Sequence, residues 1–239
     1  VRTSHVNETL PESRFGFWFL GTETWQTFVI RKAIEDLGRL IPEGSWPKRP
    51  VVLDAGCGQG KSFQPLYERF APERIIAIDV EPRCIARSTR AAEMLRGKLA
   101  IDVQLGDASA LELSDASVDL IFCHQAFHHM SDQKASLQEF HRVLRPGGRL
   151  LFAESTHAFI GFWLTRFLFS NPMEVQHSAE EYIEMIRAQG FEFGPANVSY
   201  PYLWWSRTDL GVRERLGLGV PPHGAREETL INLVATKPL

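Results

Sequence analysis

The chain has 239 residues, with 26 basic against 29 acidic side chains, a net charge of −3 and a hydrophobic content of 44%. At roughly 150 residues per domain this length suits one large domain with appendages, spanning 1–239, and the apolar content excludes a chain that is disordered in bulk. Without any Lys/Arg run there is no electrostatic footprint for DNA or RNA, and three cysteines (Cys57, Cys84, Cys123) are too few for a disulfide framework, which fits free thiols in a reducing compartment.

In chain order, residues 1–49 read as an N-terminal lid and helix. Val1 to Pro11 is mostly polar and offers no signal-peptide core, so a cytoplasmic location is expected, although the missing initiator Met leaves a removed leader open. Short apolar runs at Val51–Ala55, Ile75–Val80, Ile101–Leu105, Val118–Cys123 and Leu150–Ala153 then read as strands buried on both faces. Helical patterns separate them. Pro82–Arg96 has proline near its start and Gly97 after its end. Ser131–Leu144 has Ser131 as N-cap, places Leu137, Phe140, Val143 and Leu144 on one stripe, and stops at Arg145-Pro146-Gly147-Gly148. Strand and helix in alternation give a parallel sheet with right-handed crossovers, an α/β, doubly wound core over 50–155.

Downstream, Ser178 caps a helix through Ala188 that Gly190 ends, and Phe191–Val198 and Leu230–Thr236 read as two more strands. Only seven of the 26 aromatic residues, and none of the six tryptophans, lie in 51–153, so the middle reads as scaffold and the flanks as cover. The cover consists of Phe15–Leu20 and of insertions at 156–177 and 200–228. The apolar run Phe159–Phe169 contains Thr165 and Arg166 and is too short to cross a bilayer.

The segment Val51-Val52-Leu53-Asp54-Ala55-Gly56-Cys57-Gly58-Gln59-Gly60 runs from a strand into a glycine-rich turn and a helix near Lys61. Glycines there permit positive φ and close approach of a ligand to the backbone, and the helix start presents unpaired N–H groups. The spacing is not the G-x-G-x-x-G of dinucleotide binding, and no Walker lysine follows. Asp79 ends the second strand, where a carboxylate can hold both hydroxyls of a ribose, and Asp107 follows the third. All three positions converge on the carboxyl edge of the sheet.

With these motifs the sequence resembles the class I S-adenosylmethionine-dependent methyltransferases. The resemblance rests on LDAGCGQG, IAIDVEP, LGDASAL, VDLIFCHQAFHHM and FHRVLRPGGRLLFAES, in order over roughly residues 50–155. It implies a Rossmann-like seven-stranded sheet, mostly parallel with an antiparallel last strand at Leu230–Thr236, and S-adenosylmethionine as methyl donor. By the same likeness Asp54 and the turn of Gly56, Cys57, Gly58 and Gly60 hold the methionyl part, Asp79 and Val80 the ribose side, and Asp107 and Ala108 the adenine. His124 and Gln125 complete the donor site.

A histidine is the expected base, because its ordinary pKa lies near neutrality. His124-Gln125-Ala126-Phe127-His128 has the spacing of the zinc-protease helix, but Gln125 stands where a glutamate is required, so no metal is expected. His128 and His129 either cap the strand or act in catalysis. A closer resemblance to small-molecule O-methyltransferases of bacterial secondary metabolism implies the second, with Glu154 as the supporting acid. His5, His157 and His223 have weaker claims. The expected activity is methyl transfer to a small apolar or aromatic molecule, with oxygen preferred over nitrogen or carbon and no nucleic acid as partner. The rivals are a non-catalytic or regulatory binder of S-adenosylmethionine, a protein methyltransferase, and a C-methyltransferase of lipid-like quinone precursors. The aromatic flanks read as lid, as a dimer contact or, as the lesser alternative, as a membrane contact, and the chain is expected as a monomer or a homodimer.

Overall fold

The computed structural model describes residues 13–42, 45–169 and 176–239. Seven strands form one sheet: β1 (Val51–Ala55), β2 (Arg74–Asp79), β3 (Ala100–Leu105), β4 (Val118–His124), β5 (Leu144–Ser155), β6 (Val198–Ser199) and β7 (Leu230–Thr236). Their order is β3-β2-β1-β4-β5-β7-β6; β1 to β5 run parallel, while β7 is antiparallel to both β5 and β6. The helices are α1 (Arg14–Leu20), α2 (Glu23–Trp25), α3 (Arg31–Leu40), α4 (Phe63–Phe70), α5 (Pro82–Met94), α6 (Gln133–Val143), α7 (His157–Ile160), α8 (Trp163–Leu168), α9 (Ala179–Ala188) and α10 (Val212–Arg215). A π-helical turn, Gln26–Ile30, joins α2 to α3.

Because side chains alternate across a strand, each central strand feeds two cores. Leu53, Ala55, Ile121, Cys123, Phe152 and Leu233 pack with Phe140 of α6 and with Tyr182 and Ile186 of α9. Val52, Leu120, Phe122, Leu151 and Val234 pack on the other face with Ile34 and Leu37 of α3 and with Phe63 and Leu66 of α4. Burial on both faces accounts for the near-continuous apolar runs of these strands. The strand order reverses between β1 and β4, and the crevice at their carboxyl ends is where open α/β sheets bind ligands.

Several boundaries differ from the sequence reading. β5 begins at Leu144, because a register shift opposite Val118–Leu120 absorbs the Pro146-Gly147 segment instead of ending the strand there. The expected strand Phe191–Val198 is mostly absent. One bridge joins Glu192 to Thr236, a 3₁₀ turn occupies Pro195–Asn197, and pairing resumes only at Val198, since Pro195 has no N–H to donate to a ladder. Helix α6 starts two residues late, because the carboxylate of Asp132, not Ser131, caps it by accepting from the Ala135 amide at 2.9 Å. Helix α9 forms as read, with Ser178 and Glu181 in a reciprocal capping box. The apolar run 159–169 is two short helices separated at Gly161.

Candidate functional site

Two turns meet at the strand reversal. After β1 the backbone passes through Gly56, Gly58 and Gly60 at φ of 77°, 51° and 75°, the left-handed region that glycine enters without penalty. The amides of Gly56 and Cys57 both donate to the carbonyl of Ile78 at 2.9 Å, tying the turn to β2. A Cβ on Gly56 would stand 2.3 Å from the Cβ of Ala126, in the turn that follows β4. Glycine is therefore required there for space as well as for φ. Around Gly58, by contrast, a Cβ would meet nothing within 4 Å. Its amide donates to Oδ2 of Asp79 at 2.8 Å, while Oδ1 accepts from the Glu81 amide at 2.9 Å. The Val80 amide also meets this carboxylate, so three backbone N–H groups share about four lone-pair sites and accepting capacity remains for a ligand hydroxyl. Burial raises the Asp79 carboxyl above the ordinary range, opposed by those amide bonds.

Val80 and Leu105 leave apolar side chains exposed at the ends of β2 and β3, by 44% and 62%. Asp107 is exposed, with Oδ1 accepting from the amide and hydroxyl of Ser109 at 2.8 Å each, and Ala108 is buried behind it. Asp54 and Cys57 lie deeper. Asp54 is 2% exposed and takes the Ser62 hydroxyl, and desolvation pushes its carboxyl up to about 7. It supports the turn from below, while the turn's open side is at Gly58.

On the other side of the reversal, His124 ends β4 with its ring stacked on Phe122 at 5.6 Å and edge-on to Trp25 at 6.1 Å. Desolvation lowers its imidazole to about 4, so the ring is neutral at pH 7. Gln125 follows at φ 50°, uncommon for a residue with a side chain, and is held there by its amide on Ala153 and its side-chain oxygen on the Ser155 hydroxyl.

The chain then makes a 3₁₀ turn, Phe127–His129, over the end of β5. The buried carboxylate of Glu154 organises that turn. Oε1 lies 2.7 Å from Nδ1 of His128 and accepts from the Ser155 amide at 3.0 Å, while Oε2 accepts from the amides of Phe127 and His128 at 2.7 and 3.4 Å. With four donors the carboxylate is satisfied without water. Once Nδ1–H is committed to Glu154, Nε2 becomes the proton-accepting atom of a neutral His128. The His129 ring lies 4.1 Å from that of His128, and burial, with His128 beside it, holds its imidazole well below the ordinary histidine range. The residues expected as base and support thus stand together, at hydrogen-bond distance for His128 and Glu154.

The aromatic flanks divide into inner and outer faces. Phe19 contacts Trp25 at 5.8 Å and Phe169 at 6.1 Å, so segments distant in sequence gather beside His124. Helix α1 is also fastened to the glycine turn. Gln59 donates from its side-chain amide to the carbonyl of Phe17, Lys61 pairs with Glu23 at 2.8 Å, and the guanidinium of Arg83 lies 4.8 Å over the Phe17 ring. Of the lesser histidines, His157 pairs with Glu227 at 2.9 Å and His223 with Glu228 at 2.7 Å, both in the C-terminal insertion; His5 lies outside the described residues. Trp25, Gln59 and Ser62 were not among the sequence candidates. Gln59 and Ser62 sit in or beside the glycine motif, and that adjacency was the available signal; nothing local marks Trp25. Among the described residues no group of three or more His, Cys, Asp or Glu side chains is placed to hold a metal, and no helix is long and apolar enough to cross a membrane.

The strand order, the glycine turn after β1 and the acidic end of β2 define an α/β protein of the Rossmann-like class. Residues 53–152 match the family model described as a methyltransferase domain. The malonyl-[acyl-carrier protein] O-methyltransferase of Yersinia pestis is 40% identical over 117 residues, which is 48% of this chain and 40% of that protein. A crystallised S-adenosylmethionine-dependent methyltransferase from Aquifex aeolicus superposes with a TM-score of 0.64 at 18% identity, covering 92% of this chain and 96% of that one. The [4+2]-cyclase SpnF superposes at 0.65 with 21% identity, over 87% of this chain and 81% of its own. The chain is thus similar to a methyltransferase domain over residues 53–152 and shares the fold of solved S-adenosylmethionine-dependent methyltransferases. It spans from 29% to 51% of the length of the curated relatives it matches.

The residues present fit that donor. The side of Gly58 where a Cβ would meet nothing, the spare accepting capacity of Asp79, and the exposed apolar surfaces of Val80 and Leu105 next to Asp107 lie in sequence along the edge, and would suit a polar tail, a ribose and a flat base.

Proposed function

We propose that the chain methylates a hydroxyl oxygen of a small apolar or aromatic molecule, with His128 and His129 as the base and Glu154 as its support. The buried His128–Glu154 contact at 2.7 Å, beside an inner wall of Trp25, Phe19 and Phe169, carries this reading. When bound, S-adenosylmethionine supplies an electrophilic methyl group on a sulfonium that departs as a neutral thioether. Gly58 and Asp79 position the donor, with Asp107, Ala108 and Val80 on its base side. The chain's remaining tasks are to align a nucleophile and to remove its proton.

A carboxylate on Nδ1 orients the imidazole, which leaves Nε2 of His128 as the atom that accepts the hydroxyl's proton. His129, kept neutral by burial, is available to take or pass on that proton. The aromatic wall keeps competing water from the transfer. A phenol-like acceptor suits the wall and needs the base. A carboxylate acceptor would need none, which makes the base the discriminating feature.

His128→Ala and His129→Ala should each leave donor affinity within about twofold by calorimetry, while lowering methyl transfer to a phenolic acceptor by about 10²-fold or more. The acid limb of the wild-type pH profile should lie below the ordinary histidine range if the neutral His129 ring takes part. Full turnover by both variants would remove the base. Donor binding with no transfer to any hydroxyl acceptor would favour a binding or regulatory role.

A further inference from the structure

The outer face of the cover is unlike the inner one. Helix α8 presents Trp163 and Phe167, 69% and 80% exposed, one turn apart; helix α1 presents Phe15 and Trp18, 45% and 63% exposed, with ring centroids 5.8 Å apart. The two helices are neighbours: the Ser13 hydroxyl donates to the carbonyl of Leu168 at 2.7 Å, and Phe15 contacts Phe169 at 6.5 Å. Isolated apolar side chains on a surface need no explanation, but four large aromatic groups on two adjoining helices do.

Charge on these elements has one sign. Segments 13–22 and 157–169 contain no Asp or Glu, whereas Arg14 and Arg166 are exposed on α1 and α8. This in a chain whose net charge is −3. Tryptophan and phenylalanine beside arginine is the composition of short helices that lie in the headgroup region of a bilayer, rings at the acyl boundary and guanidinium groups among the phosphates.

We infer that the outer face of α1 and α8 docks on the surface of an anionic lipid bilayer, with Trp18, Trp163 and Phe167 entering the interface and Arg14 and Arg166 meeting headgroup phosphates. A second copy of the chain suits the face less well. A two-fold interface sets a patch against itself, so both arginines would face their own kind with no acidic residue on these segments to answer them. A bilayer supplies the missing negative charge. This inference does not depend on the reaction proposed above, and its readout involves no methyl transfer.

The test is co-sedimentation of the full chain with phosphatidylcholine vesicles, either alone or with about 30% phosphatidylserine. The protein should pellet with the anionic vesicles and remain soluble with the neutral ones. The double variant Trp163→Ser/Phe167→Ser should lose most of that binding. Arg14→Gln and Arg166→Gln should each weaken it about fivefold at low salt, and all variants should keep the wild-type far-ultraviolet dichroism. Equal partition into neutral and anionic vesicles would overturn the inference, as would undiminished pelleting of the tryptophan–phenylalanine variant. So would a lipid-free dimer that this variant dissolves, which would assign the face to a second copy.

Discussion

The two halves of the site are built differently. The proposed donor half, at the ends of β1, β2 and β3, is made by backbone: left-handed glycines, amides turned toward Asp79, and one aspartate shaping each turn. It is half open, and its groups come from within a few residues of their strands. The acceptor half, at the ends of β4 and β5, is made by side chains: a buried carboxylate beneath an imidazole, and rings delivered by α1, α2 and the end of α8. A backbone site tolerates many surroundings and so repeats across proteins, whereas a side-chain site depends on each contributor. This fits a fold shared at 18–21% identity with a methyltransferase and a cyclase, since one fold can carry different chemistries.

The sharpest way to break that comparison is at Glu154. Four donors depend on this one carboxylate, so Glu154→Ala should lower methyl transfer by 10² to about 10⁴-fold and cost about 3 kcal/mol of stability, since it leaves buried N–H groups unmet. Glu154→Gln, which keeps the shape but turns an NH2 on two of those donors, should recover part of the stability and little of the turnover. Urea titration alongside a transfer assay separates the two. If Glu154→Gln kept full turnover, the carboxylate would be holding the turn and nothing more.

Asp54 gives the corresponding test of the donor half, through pH. Its carboxyl titrates near 7 in the folded chain against 3.8 for the free group. A raised folded value means that the native state is favoured while both states are protonated, and that this advantage is lost as pH climbs from about 4 to about 7. Across that window the ionised unfolded chain gains up to about 4 kcal/mol relative to the fold. Asp54→Asn removes the effect, so the stability of the variant relative to wild type should grow with pH over the same interval and level off above it. His124 acts in the opposite sense: a folded value near 4 means its contribution is present above about 6.5 and lost as pH falls toward 4. A constant difference between Asp54→Asn and wild type would show that Asp54 is ionised in the native protein.

The donor half was legible in the sequence because its parts are local. Strand, glycines and aspartate lie within ten residues at 51–60, Asp79 ends a strand and Asp107 lies two residues past one. The His128–Glu154 pair was reachable only through a family likeness, since 26 residues separate the two and no periodicity joins them. Trp25 was not legible, because its place beside His124 depends on a π-helical turn and on the packing of α1 against the glycine turn. The departures at β5 and near Phe191 are opposite in sense. Pro146-Gly147 looks like a stop, yet a bulge absorbs it within the strand, whereas Pro195 sits inside a run that reads as a strand and interrupts its ladder.

The finest test sets two glycines of the same turn against each other. Both Gly56 and Gly58 have positive φ, so either alanine substitution pays the left-handed cost of about 1 kcal/mol. Only at Gly56 does the new methyl also strike Ala126, at 2.3 Å, where the donor turn touches the acceptor turn. Gly56→Ala should therefore cost about 3 kcal/mol in all and disturb both halves, with donor affinity and transfer falling together. Gly58→Ala meets nothing in the protein and should cost about 1 kcal/mol, yet its methyl stands where a donor would approach the backbone. Its melting temperature should stay near wild type while the donor dissociation constant rises at least tenfold. If the two variants were equal in stability, Gly56 would not be the hinge between the halves; if Gly58→Ala bound the donor normally, the open side of the turn would not face it.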